Sequence, residues 1–156
     1  MLIPKSLSRD GRLYLEDLAV GQRFVTATYE LNAEEIMEFA RKYDPQPFHL
    51  NEAAAKESLF EGLAASGWHT AAISMRLFVE GGPKFAGGLI GVSGELTWPR
   101  PTRPGDTLHV VTEILEVTPS KSRPDCGMVT VRNTTLNQNG ETVQSVVAKL
   151  VVPRRM

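Results

Sequence analysis

Asp44 and His49 stand five positions apart in the run Tyr43-Asp44-Pro45-Gln46-Pro47-Phe48-His49-Leu50, in a turn stiffened by two prolines. A carboxylate and an imidazole held at that spacing can share one water and move its proton. The prolines lower the entropy cost of keeping the two side chains in place. Further on, Gly67 stands where the longest apolar helical pattern begins. The first turn of a helix carries backbone N–H groups with no intrahelical acceptor, and such groups can bind an oxyanion. An acid–base pair beside an oxyanion donor is the outline of an active site. Each part has a plainer explanation alone. Aspartate often closes turns beside proline, a loop histidine is more often a satisfied polar group than a catalyst, and a glycine can simply permit close packing. Their convergence between Tyr43 and Arg76 favours chemistry.

The elements that must position these residues can be read in order. Residues 1–11 are polar and without pattern, which predicts an arm that orders only against a partner surface. Arg23 to Leu31 has strand propensity through Phe24, Val25, Thr26, Thr28 and Tyr29. Asn32 and Glu35 form a capping box, and Ile36, Phe39, Ala40 and Tyr43 follow at helical spacing. That helix must end at Asp44, because Pro45 disfavours helical dihedrals in the residue before it. Asn51 can cap a second small helix through Ala53, Ala54, Ala55 and Lys56. Ala64, Ala65, Ser66 and Gly67 introduce a third helix reaching about Val79, apolar over most of its circumference and therefore expected to be buried. Gly81-Gly82-Pro83 stops it.

Beyond Gly87 the pattern turns to period two. Leu89 to Trp98, Thr107 to Val117, Met128 to Leu136 and Thr142 to Val152 read as strands, with turns at Arg103-Pro104-Gly105-Asp106, Pro119 to Gly127 and Asn139-Gly140. Asn139-Gly140 predicts a type I′ hairpin. A strand, a run of helices and then four strands imply an α+β fold, an antiparallel β-sheet wrapped around one long central helix, in a single domain spanning 1–156.

The totals remove several function classes. The chain has 156 residues, 42% hydrophobic and 22% charged, with a net charge of −1. That balance gives no general pull towards nucleic acid or an anionic membrane. A lone cysteine, Cys126, excludes an internal disulfide framework and suits a reducing compartment. With no apolar leader segment at the start and no run able to cross a bilayer, a cytoplasmic location is expected.

The order of elements and motifs resembles the MaoC-like acyl dehydratases and (R)-specific enoyl-CoA hydratases of the hot dog fold. The likeness is carried by Tyr43 to Leu50, by Ala65-Ser66-Gly67-Trp68-His69-Thr70, by Pro101-Thr102-Arg103-Pro104-Gly105-Asp106-Thr107-Leu108, and by the opening Glu16-Asp17-Leu18-Ala19-Val20-Gly21. The first block is fairly specific, whereas the Pro-Gly-Asp block says more about fold than chemistry. The resemblance implies that Asp44 and His49 hold a water, that the Gly67 N–H polarises a thioester carbonyl, and that the substrate is an acyl thioester of coenzyme A or acyl carrier protein, with no further cofactor. It also implies a homodimer or larger homo-oligomer joined along a sheet edge, a surface that would otherwise invite aggregation. Where hydratases of this group often carry histidine before the glycine, this chain has Ser66. A polar residue further along the helix is common in the family, and Ser74 and Met75 both fall near that register.

Other residues are weighed against plainer roles. Ser66, Trp68 and Arg103 are candidate substrate contacts. Core packing is the simpler reading of Trp68 and His69, although Trp68 could border an acyl tunnel. Arg100, Arg103, Lys121 and Arg123 could meet the phosphates of coenzyme A, and solvated surface charge explains them equally well. Cys126 reads as an unreactive loop thiol, His109 as a strand residue, and Arg154-Arg155 as a short basic tail. The three histidines lack the spacing of a metal site, so none is predicted. Adding water across a 2-enoyl thioester is the leading expectation. A hot dog thioesterase and a non-catalytic acyl-CoA-binding subunit are the alternatives.

Overall fold

The computed structural model describes residues 11–155. Apart from Gly11, the expected arm over 1–11 lies outside them. Among the described residues six strands form one antiparallel sheet: β1 (Arg23–Val25), β2 (Tyr29–Glu30), β3 (Ile90–Thr97), β4 (Thr107–Pro119), β5 (Cys126–Leu136) and β6 (Thr142–Pro153). The order across the sheet is β1-β4-β5-β6-β3, with β2 also pairing with β4. The helices α1 (Ala33–Tyr43), α2 (Pro47–Leu50), α3 (Glu52–Lys56) and α4 (Gly67–Gly81) lie in sequence between β2 and β3. The expected α+β architecture is therefore what forms.

Local chemistry explains most boundaries. Asn32 caps α1 by accepting from the Glu35 N–H at 2.9 Å, and the helix ends at Asp44 as the following proline requires. Asn51 caps α3 by accepting from the Ala54 N–H at 2.9 Å. The expected strand over Arg23 to Leu31 is split, because Thr26 turns its hydroxyl to its own neighbour, the Ala27 carbonyl, and also accepts from the Val110 N–H. The turn holding His49 closes into one helical turn, α2, with Pro47 in its first positions, where a missing N–H costs nothing. The β5–β6 hairpin forms, but its turn is not type I′. Gly140 has a φ of +74°, whereas Asn139 is not left-handed; the Gly140 N–H instead bonds the Asn137 carbonyl at 3.1 Å and the Asn137 side chain accepts from both the Asn139 and Glu141 N–H groups. The polar Asn137 side chain has bound the loop backbone in place of a tight two-residue turn.

The central helix is buried on one side. Ile73, Leu77 and Phe78 face the sheet, where they join two apolar clusters. One contains Leu15, Ile114, Val129, Val131 and Val152 and takes in Phe78; the other contains Leu31, Ile36, Leu108, Val110 and Val143 and takes in Ile73 and Leu77. Trp68, Met75 and Val79 on the opposite side are exposed, so the expectation of a helix buried all round fails for the single chain. A neighbouring apolar surface explains the pattern: β3 is an edge strand paired on one side with β6, and Ile90 and Val92 stand in solvent, Val92 60% exposed. The basic tail also has a structural role. Arg155 grips Asp17 through two 2.7 Å hydrogen bonds, and Arg154 bonds Glu16 at 3.0 Å, tying the end of β6 to the short 3-10 turn Leu15–Asp17.

Candidate active site

Asp44 closes α1 and His49 lies in α2, so the chain reverses between them and brings Asp44 Oδ2 to 3.3 Å from His49 Nε2. The imidazole is buried. Its Nδ1 lies 2.6 Å from the Ala64 carbonyl, which can only accept, so Nδ1 carries a proton. In the neutral ring Nε2 then presents a lone pair to the cleft beside an acidic oxygen. Phe48 packs edge-on against the imidazole, with ring centroids 4.6 Å apart.

Burial by itself would push the Asp44 carboxyl up. The Ser66 hydroxyl and the hydrogen-bonded Gln46 amide, with the positive charge that the facing His49 ring carries when protonated, outweigh it and hold the group below its ordinary value. The Gln46 bond to Asp44 Oδ1 measures 2.5 Å. Asp44 is accordingly ionised at neutral pH.

Ser66 is the N-cap of α4, its Oγ accepting from the Trp68 N–H at 3.3 Å. It is 0% exposed and does not line the cleft, so the structure sets it behind Asp44 rather than against a ligand. Gly67 follows as the first residue of α4. Among the described residues its N–H has no acceptor, and it opens at the positive end of a helix of 15 residues.

Asp44, His49 and Gly67 line one cleft of about 430 Å³. Phe48, Phe60, Thr70, Trp98 and Thr102 complete much of its wall, and Trp68 and Arg100 stand at its exposed rim. Trp68 is 60% exposed and meets Trp98 edge-on at 5.4 Å, so it borders the cleft and is not core. Gly67 also has a steric reason to be glycine. A Cβ there would fall 2.7 Å from Trp98 Cε2, so the indole lies directly on the helix terminus.

Several candidates do not meet here. Arg103 directs its guanidinium to the carbonyls of Phe60, Gly62 at 2.8 Å and Leu63 at 3.2 Å, which staples the segment before α4 and leaves the side chain outside the cleft. Arg100 stands at the rim, where it pairs with Glu141 at 2.9 Å. Arg123 pairs with Asp125 at 2.9 Å, in the β4–β5 connection that also holds Lys121. His69 stacks on Phe39 at 4.5 Å, away from the cleft. Cys126 opens β5 and is half-buried, and His109 lies within β4. Gln46, Phe60, Trp98 and Thr102 were not singled out from the sequence as parts of the site. A weak signal existed only for Gln46, a polar side chain fixed between two prolines.

Residues 17–137 match the family model described as MaoC like domain. The chain belongs to the MaoC-like domain family. A crystal structure of a MaoC-like dehydratase from Rhodospirillum rubrum is 61% identical, with a TM-score of 0.90 over 92% of this chain and 99% of that one. An R-hydratase from Pseudomonas aeruginosa, 26% identical, superimposes with a TM-score of 0.72 over 92% of this chain and 88% of its own. By sequence, a 3-hydroxybutyryl-CoA dehydratase of Methylorubrum extorquens is 31% identical over 113 residues, 71% of this chain and 69% of that protein. The fold of this MaoC-like chain is thus the hot dog fold, and its family is one of hydratases and dehydratases.

Proposed function

We propose that this protein adds or removes water across the double bond of a 2-enoyl thioester, interconverting it with the 3-hydroxyacyl thioester. The observation that carries the proposal is the meeting, in one cleft, of the 3.3 Å Asp44–His49 pair with the open N–H of Gly67 at the start of α4. An ionised Asp44 and a His49 Nε2 lone pair are both acceptors, and one water can donate an O–H to each. The Gly67 N–H and the helix dipole favour negative charge where the thioester oxygen would lie.

In the hydration direction the water oxygen bonds to the β-carbon while its proton passes to the Asp44–His49 pair. The double-bond electrons move onto the thioester oxygen at Gly67. The enolate then collapses as the pair returns a proton to the α-carbon, which leaves the pair as it began. Dehydration runs the same steps backwards. No group beyond these residues and the thioester takes part, and the carrier is coenzyme A or acyl carrier protein. The dehydratase relative named for a CoA thioester supports the first of these.

Incubation with crotonyl-CoA, following enoyl absorbance and free thiol in parallel, tests the reading. Enoyl loss without thiol release is expected. Asp44→Asn or His49→Ala should reduce it by about two to four powers of ten, the range for removing a positioned acid–base group. Thiol release would instead make the protein a thioesterase. Binding without either reaction would make it a non-catalytic acyl-CoA-binding subunit.

A further inference from the structure

A second hollow lies further along α4. Gly67, Trp68 and Thr70 line the first, and Ala71, Ser74 and Met75, on the next turns, line a groove of about 560 Å³. On the facing side the first is bounded by Trp98, just beyond the end of β3, and the second by Leu96 within β3. The two spaces therefore follow one another along α4, and Trp98, a wall of the first, bonds Gln144, a wall of the second.

Trp98 is held there from two sides. Its ring rests on Gly67, where a Cβ would approach Cε2 to 2.7 Å. Its Nε1–H donates to Gln144 Oε1 at 2.9 Å, and Gln144, 2% exposed, is itself part of the groove wall. A buried amide with a fixed partner keeps an indole from swinging, because breaking the bond leaves a buried acceptor unsatisfied. Beyond the ring the groove is largely apolar, with Leu89, Leu96, Val146 and Leu150, and would suit a hydrocarbon chain.

We propose that Trp98 is the residue that sets acyl length, closing the cleft from the groove so that the site takes short acyl thioesters. The inference rests on the thioester reading of the cleft and adds the class of acyl group. In the native protein the indole shuts off the groove, so methylenes beyond a short chain stay in water and lengthening the acyl group brings no affinity. Removing the indole joins the two hollows, and the added methylenes become buried.

The test is binding of butyryl-, hexanoyl-, octanoyl- and decanoyl-CoA, which are saturated and cannot be hydrated, to the full chain and to Trp98→Ala by calorimetry. The native protein should show a flat or falling affinity beyond butyryl-CoA. Trp98→Ala should gain roughly tenfold or more from butyryl- to octanoyl-CoA, the order expected for a few methylenes entering an apolar site. Should Trp98→Ala not fold, Trp98→Leu opens the same wall while keeping an apolar contact on Gly67, and the same gain is expected. A native affinity that climbs tenfold with chain length, or an unchanged profile in the folded opening variant, would overturn the role of Trp98 even if crotonyl-CoA is hydrated. Failure of every CoA ester to bind the native protein would overturn the thioester reading and this inference together.

Discussion

The Ala64 carbonyl fixes the chemistry of His49: at 2.6 Å from Nδ1 it holds the proton on that nitrogen and leaves Nε2, 3.3 Å from Asp44, as the nitrogen that faces the cleft. A backbone carbonyl cannot be removed by mutation and cannot donate, so the ring orientation is built into the main chain. Imidazole nitrogen NMR at a pH where His49 is neutral should show the Nδ1–H form. An Nε2–H form would contradict this arrangement.

Ser66 joins the acid–base pair to the helix end, since it caps α4 and its hydroxyl lowers the Asp44 pKa. Ser66→Ala should cost about 1 kcal/mol in chemical denaturation through the lost cap. It should also move the acid limb of the pH–rate profile to higher pH, because one of the bonds that lowers the Asp44 pKa is gone while its burial remains. In the native chain the sign is the opposite. The lowered Asp44 pKa contributes stability that is present above the ordinary 3.8 and is lost as pH falls through the folded value. A Ser66→Ala profile superimposable on the native one would show that the hydroxyl does not act on Asp44.

Gly67 and Trp98 are coupled by contact, with the built Cβ only 2.7 Å from the ring. Gly67→Ala should destabilise by about 1–3 kcal/mol, the usual range for overpacking. Since φ at Gly67 is not in the left-handed region, the strain lies in the ring contact alone. Combining Gly67→Ala with Trp98→Ala should therefore recover most of that loss in a double-mutant cycle. Additive losses would separate the two residues.

His69 is the buried group without a purpose in the proposed reaction. Its Nδ1 has no hydrogen-bond partner among the described residues, and burial lowers its pKa, opposed only by the nearby Glu35 carboxylate. A depressed folded pKa means stability that is fully present above the ordinary 6.5 and is lost as pH falls below it towards the folded value. His69→Phe keeps a flat ring against Phe39 and removes the proton site. Its unfolding midpoint in denaturant should fall less than that of the native chain between neutral pH and pH 5, and equal slopes would refute the assignment.

The unpaired edge of β3, with Ile90 exposed at its start, supports the proposal of a homodimer with that edge as its seam. Size-exclusion chromatography with light scattering should give twice the chain mass of 17.2 kDa or a higher multiple. A monomer at micromolar concentration would overturn it.

The sequence by itself determined what is local. Asn32 and Asn51 capped their helices, Pro45 ended α1 at Asp44, and period-two alternation placed the four long strands to within a residue or two. It also put Asp44, His49 and Gly67 forward together, because residue type and spacing carry that signal along the chain. The tertiary structure decided what depends on distant partners. Arg103 was drawn off by the carbonyls of 60–63, some forty positions away, and Ser66 turned to Asp44 instead of the cleft. The outer side of α4 stayed in solvent because one chain has only one sheet to cover it. Trp98 reached Gly67 only because the fold brings the segment just beyond β3 onto the start of α4, a closeness that no spacing in the sequence encodes.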